Sequence, residues 1–431
     1  MPRKPASPAS RKRSSSGAPP TSKPSSPPAA GAAIRIRMYR IGFGDCFLTS
    51  FPCADRTRYM LVDFGVHAKG DIHTSDKIMD DVAAVTGKRL DIVIGTHAHQ
   101  DHLSGFAKYA DRLRGFSVGQ VWLPWTEDPH DPQAAKYKAK QLALTEQVDM
   151  HLTALAAAGE VPSEERLAAM NAILNLAGNE KALSLLKDGI NGGAVRYFEA
   201  GKEIPDTGIA GLAARALGPP RDEKFLSRMD PPSGERWKKK LDDGSIVDVN
   251  VLVPFDDRWI DRPTPAPLSA VEADDIERLC ADAEGLAFAL DHAVNNCSLV
   301  VHLTFKGRHL LFPGDAQYGN WAAWIDAPAG KEILSQVSFL KVAHHGSHNA
   351  TPKSALASMT QHGFAAMVST QNAPWKSIPL PDLMTNLAAR ATAVVRSDSI
   401  EIAGAPKGPP LGTLPPAFSE GPFWIDYAIA V

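Results

Sequence analysis

An α/β fold carrying a helical insertion is predicted by three observations. Short apolar runs of the kind that make buried strands alternate with segments of helical periodicity. Several of these runs stop abruptly at clusters of His, Asp and Gly. Between two strand-rich stretches, from about 126 to 265, the pattern changes to helical spacing and then to a stretch rich in Pro, Gly and charge. At 431 residues the chain is long enough for roughly three domains, or for one large domain with insertions, and it can bury a core without staples.

Residues 1–33 are Pro, Ser and Ala with six basic residues and no acid. They cannot bury enough apolar surface to offset ordering entropy, so they read as a disordered tail. The tail is either a polyanion-binding arm around Arg11-Lys12-Arg13 or a solubilising leader. One domain is expected over 34–431. Ile34 to Met38 alternate as a strand with one buried face should. Gly42-Phe43-Gly44-Asp45 is a turn leading into Cys46-Phe47-Leu48. Arg58 to Val62 is a strand ending in Asp63-Phe64-Gly65, 74–86 a helix, and Leu90 to Gly95 a short buried strand. Val118 to Leu123 is the next strand. Leu144, Val148, Leu152 and Leu155 recur at helical spacing, and Ser163 can cap a second helix whose first turn carries Glu164 and Glu165. Residues 218–265 form an irregular excursion. Strands return at Ser298–Thr304, His309–Phe312 and Phe339–Val342. The pattern closes with strand Ala365–Ser369, helix Leu380–Arg390 and strand Ala393–Arg396. No short repeat is present, and two sheet-and-helix halves flank the insertion.

Composition narrows the function. The four cysteines (Cys46, Cys53, Cys280, Cys297) form no CxxC pair, which argues against a disulfide framework and a zinc ribbon. There is neither an apolar run of about 18 residues nor an N-terminal apolar segment, so the expectation is a cytoplasmic chain with reduced thiols and no membrane partner. Without its tail the chain holds 40 basic against 48 acidic residues. A body of that sign attracts polyanions only through a local patch, metal ions or the tail.

The chemistry concentrates in Thr96-His97-Ala98-His99-Gln100-Asp101-His102. Three imidazoles and a carboxylate follow a buried strand, and both are preferred ligands of zinc-like metals. In an extended segment His97 and His99 point to one side. Asp101 and His102, on the turn into a helix, can face the same volume. Four such groups would be costly to bury unpaired. Two other apolar strands end similarly, at Phe312-Pro313-Gly314-Asp315 and at Val342-Ala343-His344-His345-Gly346-Ser347. Three strand ends terminating in ligand chemistry make the argument.

These segments, together with Leu61-Val62-Asp63, resemble the metallo-β-lactamase superfamily. Gly42-Phe43-Gly44-Asp45, Asn295-Asn296-Cys297-Ser298-Leu299-Val300 and His344-His345-Gly346-Ser347 resemble its ComEC-type competence branch and that branch's soluble relatives. The resemblance runs from about 34 to 400, covers 126–265 poorly, and implies an αββα sandwich with a dinuclear site at its edge. It implies His97 and His99 on a first metal and Asp101 and His102 on a second. Asp315 would bridge them, and one of His344 and His345 would complete the second site. Asp63 would support the ligands from behind. The chain departs from the family at Asn295 and Asn296, where many members carry a histidine ligand. A first site with Asn295 or Asn296 nearby is loosely filled, held by a harder ion such as manganese, or empty, unless His292 substitutes. Ser377-Ile378-Pro379 replaces the Gly-His-Pro frequent in competence-type relatives.

The expected function is metal-assisted hydrolysis with two divalent cations, zinc first and manganese second. Such a pair lowers the pKa of a bound water and clamps the attacked centre, with Asp101 orienting the resulting hydroxide. Lys341, Ser347 and His348 are candidates for binding an anionic substrate, nucleic acid included. A phosphodiesterase or nuclease acting on DNA or nucleotides is the first expectation. A hydrolase of a small ester, lactone or amide is the second, because the fold hosts many reactions. A non-catalytic scaffold stabilised by metal is the third. His67, His73, His130, His151, His302, His309 and His362 read as structural or exposed, and Trp122, Trp125, Trp321 and Trp324 as packing residues. The sequence is silent on oligomeric state.

Overall fold

The computed structural model describes residues 32–139, 141, 175, 179–237, 294–410 and 412–431. The expected tail up to residue 31, the helical pattern over 142–174, the excursion from 238 onward, and His151, Cys280 and His292 lie outside them. Among the described residues, fifteen strands form two mixed sheets. The first has the order β14-β15-β1-β2-β3-β4-β5-β6 and the second β13-β12-β11-β10-β9-β8-β7. The first sheet comprises β1 (Ala33–Tyr39), β2 (Cys46–Pro52), β3 (Thr57–Phe64), β4 (Arg89–Ile94), β5 (Ser117–Pro124), β6 (Ala194–Phe198), β14 (Phe418–Glu420) and β15 (Trp424–Ala430). The second comprises β7 (Lys202–Ile204), β8 (Leu212–Gly218), β9 (Val300–Phe305), β10 (Arg308–Phe312), β11 (Val337–Lys341), β12 (Ala365–Val368) and β13 (Ala393–Arg396).

Strand periodicity sends alternate side chains to opposite faces. On β1, Ile34, Ile36 and Met38 point inward, while Arg35 and Arg37 point outward and pair with Asp426 on β15. The inward residues of both sheets merge into one core that runs from Ile34, Phe47 and Ile92 to Leu303, Leu310 and Phe339. A second core lies on the outer face of the first sheet. It is filled by α1 (Ser75–Thr86), α2 (Gln100–Lys108), α3 (Ala110–Leu113) and α4 (Glu180–Lys187). A third lies on the outer face of the second sheet, filled by α6 (Tyr318–Ala322), α7 (Pro328–Gln336), α8 (Lys353–Ser358) and α9 (Pro381–Arg390). A short helix, α5 (Glu223–Leu226), packs on α6. The layers therefore run helix, sheet, sheet, helix, consistent with the metallo-β-lactamase α/β sandwich that the motifs resemble. Trp122 and Trp321 are core residues, and Trp125 and Trp324 are buried beside them.

Two stretches differ from expectation. Residues 194–218, inside the span assigned to the insertion, form β6, β7 and β8 and extend both sheets. The C-terminal segment adds β14 and β15, and β15 pairs with β1 along its whole length. Asp426 breaks the apolar run of β15, yet it is buried because Arg37 and Arg35 neutralise it. No helix among the described residues is long and apolar enough to cross a membrane.

Candidate metal centre

The site forms where β3, β4, β10, β11 and β12 all end on one edge of the sandwich. β4 ends at Ile94, and the chain turns through 96–99 into α2, with His99 as its N-cap and Asp101 in its first turn. A carboxylate there is favoured by the helix dipole. β10 ends before Gly314-Asp315, and β11 before His344-His345. The approach is close. A Cβ on Gly65 would lie 2.4 Å from the His102 carbonyl carbon. Gly314 has a φ of +58°, and a Cβ there would lie 2.9 Å from Thr96 Cβ. Both positions need glycine to let the strand ends meet.

Three donor groups result among the described residues; Asp45, Asp63 and His102 form one, and the other two share Asp101. Asp101, His102, Asp315 and His345 bring one ligand atom each to within 4.8 Å of one another, and His97, His99 and Asp101 do the same. All six residues are buried. His345 Nε2 lies 3.1 Å from Asp101 Oδ2 and 3.1 Å from Asp315 Oδ2. His102 Nε2 lies 3.1 Å from Asp315 Oδ2. His97 Nε2 and His99 Nδ1 are 3.0 Å apart, as expected for two imidazoles on one side of an extended segment.

Neighbouring groups orient two of the candidate ligands, His345 and His102. The backbone carbonyl of Ser369 accepts a hydrogen bond from His345 Nδ1 at 2.9 Å, which leaves Nε2 aimed at the carboxylates. Asp63 Oδ2 lies 2.8 Å from His102 Nδ1, and Asp63 is itself held by Thr96 N and Thr96 Oγ1 at 2.8 and 2.7 Å. Asp63 was expected to support the ligands from behind, and it lies behind the candidate ligand His102. Asn175 Oδ1 accepts from Asp101 N at 3.3 Å, and Asn179 Nδ2 donates to Ala98 O at 2.7 Å, so the inserted segment braces the histidine loop.

Asp315, expected as the bridge, turns one oxygen toward His102 and His345. Asp315 Oδ1 is occupied by Lys341 Nζ at 2.9 Å, so only Oδ2 faces the imidazoles. Asp101 is the carboxylate common to two of these donor groups. Lys341 was expected on the substrate side, but it lies 2% exposed behind Asp315. There it also pairs with Asp45 and donates to Gly314 O. Asp45, read from the sequence as part of a turn and of a family-like motif but given no role, therefore lies beside the cluster. It also lies 3.6 Å from His345 Nδ1. Of the two candidate histidines, His345 enters the cluster. His344 is half-buried beside Asn295 and Asn349, with Nε2 3.5 Å from Asn295 Nδ2.

Asn295 sits beside His99 and His344. Asn296 is elsewhere. Its Nδ2 donates to Leu226 O and Arg228 O, and its Oδ1 accepts from Asn320 N, so it ties α5 to α6. Ser347 is buried and its hydroxyl donates to Asn349 Oδ1. His348 is half-buried and lies 3.3 Å from Asp230.

Charge in the site is arranged by burial and by the carboxylates. Burial and the neighbouring His102 and His99 push His97 well below the usual imidazole range. Burial takes His99 down to about 4, so both rings present neutral lone pairs. Burial opposes protonation of His345, but Asp315 and Asp101 raise it to about 10. The same carboxylates hold His102 well above its ordinary value. Burial raises Asp101, but His102 and His345 outweigh it and hold the carboxyl far below its usual range. A field that draws positive charge to this position suits a divalent cation. Asp101 Oδ1 is buried with no hydrogen-bond partner among the described residues, as an atom aimed at a cation would be. The donor set of imidazole and carboxylate fits such an ion.

No family model matches the sequence, and no curated protein does. Among solved structures the chain is similar to the crystal structure of the metallo-beta-lactamase fold protein YhfI from Bacillus subtilis. The identity is 9% and the TM-score 0.33, over 84% of this chain and 95% of that one. Layer order and donor set, read from the chain itself, describe an αββα sandwich whose edge is built to hold divalent metal.

Proposed function

We propose that the protein is a metal-dependent hydrolase of phosphodiesters, acting on DNA or on nucleotides. One observation carries the reading: two buried donor groups share a single carboxylate, Asp101. Adjacent cations in such a pair polarise a phosphoryl oxygen, activate water and neutralise the charge that develops. The first position would be held by His97, His99 and Asp101, and the second by Asp101, His102, Asp315 and His345. Zinc suits both sets, and manganese suits the first, where Asn295 stands in place of a stronger ligand.

The remaining groups keep this arrangement fixed. Asp63 and Ser369 O hold the rings of His102 and His345, and Lys341 fixes Asp315 while cancelling part of its charge. His344, half-buried between Asn295 and Asn349, is held by both of them beside the first position. Ser347 and His348, expected on the substrate side, are engaged by Asn349 and Asp230.

The test is hydrolysis of bis(p-nitrophenyl) phosphate with added zinc or manganese, comparing the wild type with Asp101→Ala. Metal-dependent turnover that falls at least 100-fold in the variant is the expected result. Metal bound at both positions without turnover on any phosphodiester would overturn the reading. The acidic body would then favour a small ester, lactone or amide as substrate, and inert behaviour towards those as well would favour a metal-stabilised scaffold.

A further inference from the structure

We propose that Trp375 is a stacking platform for the base of a nucleotide whose phosphate lies at the metal centre; this rests on the phosphodiesterase reading above. The loop from Ser369 to Leu380 joins β12 to α9, and both its ends are tied to the turn that carries His345. Ser369 O accepts from His345 Nδ1, and Leu380 N donates to Gly346 O at 2.9 Å. In between, the loop sits tightly on residues 68–70: a Cβ on Gly70 would lie 2.7 Å from Ala373 O. The loop is thus positioned relative to the ligands at three places.

Aromatic rings connect it to the cluster. The Phe43 ring lies 4.4 Å from the His345 ring, and the Trp375 ring 4.8 Å from Phe43. The His67 ring meets Trp375 from another side at 5.1 Å. Phe43 and His67 are buried, whereas Trp375 is only half-buried and the next two residues, Lys376 and Ser377, are exposed. An indole packed against buried rings, two ring contacts from a candidate metal ligand, keeps part of its surface exposed. Every nucleobase presents a π-face, so a platform of this kind binds bases with little regard to sequence. Lys376 supplies a cation beside it for a flanking phosphate. This gives the acidic body the local patch that its overall charge requires for a polyanionic substrate.

The platform is tested by binding, without turnover. Calorimetry compares adenosine 5′-monophosphate with ribose 5-phosphate on the full-length, metal-loaded protein. The wild type should prefer the nucleotide about tenfold or more. Trp375→Phe, which keeps an aromatic face, should retain most of that preference, while Trp375→Leu, which keeps bulk without one, should lose it. Equal preference in wild type and Trp375→Leu, no preference in the wild type, or no binding of either ligand would overturn the proposal and leave Trp375 a packing residue. A protein with the base preference that hydrolyses no phosphodiester would sink the hydrolytic reading and leave the platform standing. Turnover without the preference would do the reverse.

Discussion

At the scale of single residues, the site depends on one buried cation. Lys341 is enclosed between Asp45 and Asp315, all three 2% exposed or less. Burial alone would lower its pKa, but Asp315 and Asp45 hold it above the usual lysine range. Removing one partner of a buried ion pair strands the other charge and costs about 3–5 kcal/mol. Lys341→Met should therefore lower the unfolding free energy of the metal-free protein by about that much in a urea titration. A loss below about 1 kcal/mol would mean that water reaches the carboxylates. Backbone strain marks the same region: Asp63, His344 and His345 all have positive φ, at 55°, 48° and 53°. Non-glycine residues held there cost about 1–3 kcal/mol each and persist only where the surroundings impose them. The metal-ligand residue types were legible because they cluster within a few positions of strand ends. Asp45 and the placement of Lys341 were not. Their meaning lies in a contact between segments far apart in the chain, and each residue alone is unremarkable in a turn or a strand.

At the scale of elements, β9 and β10 form a hairpin through Lys306-Gly307, both with positive φ, as a two-residue loop joining twisted strands requires. On its outer face His302 Nε2 and His309 Nδ1 lie 3.0 Å apart. Burial, with His309 and Arg215 nearby, lowers His302 to about 4. A histidine kept neutral in the fold but free to protonate when unfolded stabilises fully above pH 6.5. That contribution is lost as pH falls to about 4, because the unfolded chain then binds the extra proton. The loss amounts to about 3 kcal/mol. His302→Gln should make unfolding free energy less steep between pH 6.5 and 4 than in wild type, as read by denaturant titrations across that window. Parallel curves would show that the pair is solvated. Elements such as β4, β10 and β13 were legible because an apolar run stopped at a turn residue. β6, β7 and β8 were hidden because they are short, partly charged and embedded in a stretch whose neighbours are helical. β15 was hidden by Asp426, whose burial makes sense only once Arg35 and Arg37 of β1 lie opposite it.

At the scale of the whole molecule, the donors come from both sheets: His97, His99, Asp101 and His102 from the first, Asp315 and His345 from the second. A cation that binds the folded state alone stabilises it by about 2.7 kcal/mol at a hundredfold excess over its Kd. Saturating zinc or manganese should raise the melting temperature of metal-stripped protein, and a chelator should reverse the rise. His345→Ala should shrink it. An unchanged melting temperature on metal addition would mean that the cluster is held by its own hydrogen bonds. The αββα architecture was legible through the motif resemblance, and the site through its strand ends. The pairing of Lys341 with one oxygen of Asp315 was not, since it depends on a contact between separate segments.

The pairing of His345 with Asp101 spans 244 positions of chain. During synthesis the first histidine loop leaves the ribosome long before Asp315 and His345 exist. Until they arrive, that loop holds only a partial coordination sphere. Any metal site that draws on both halves is therefore completed only when they dock.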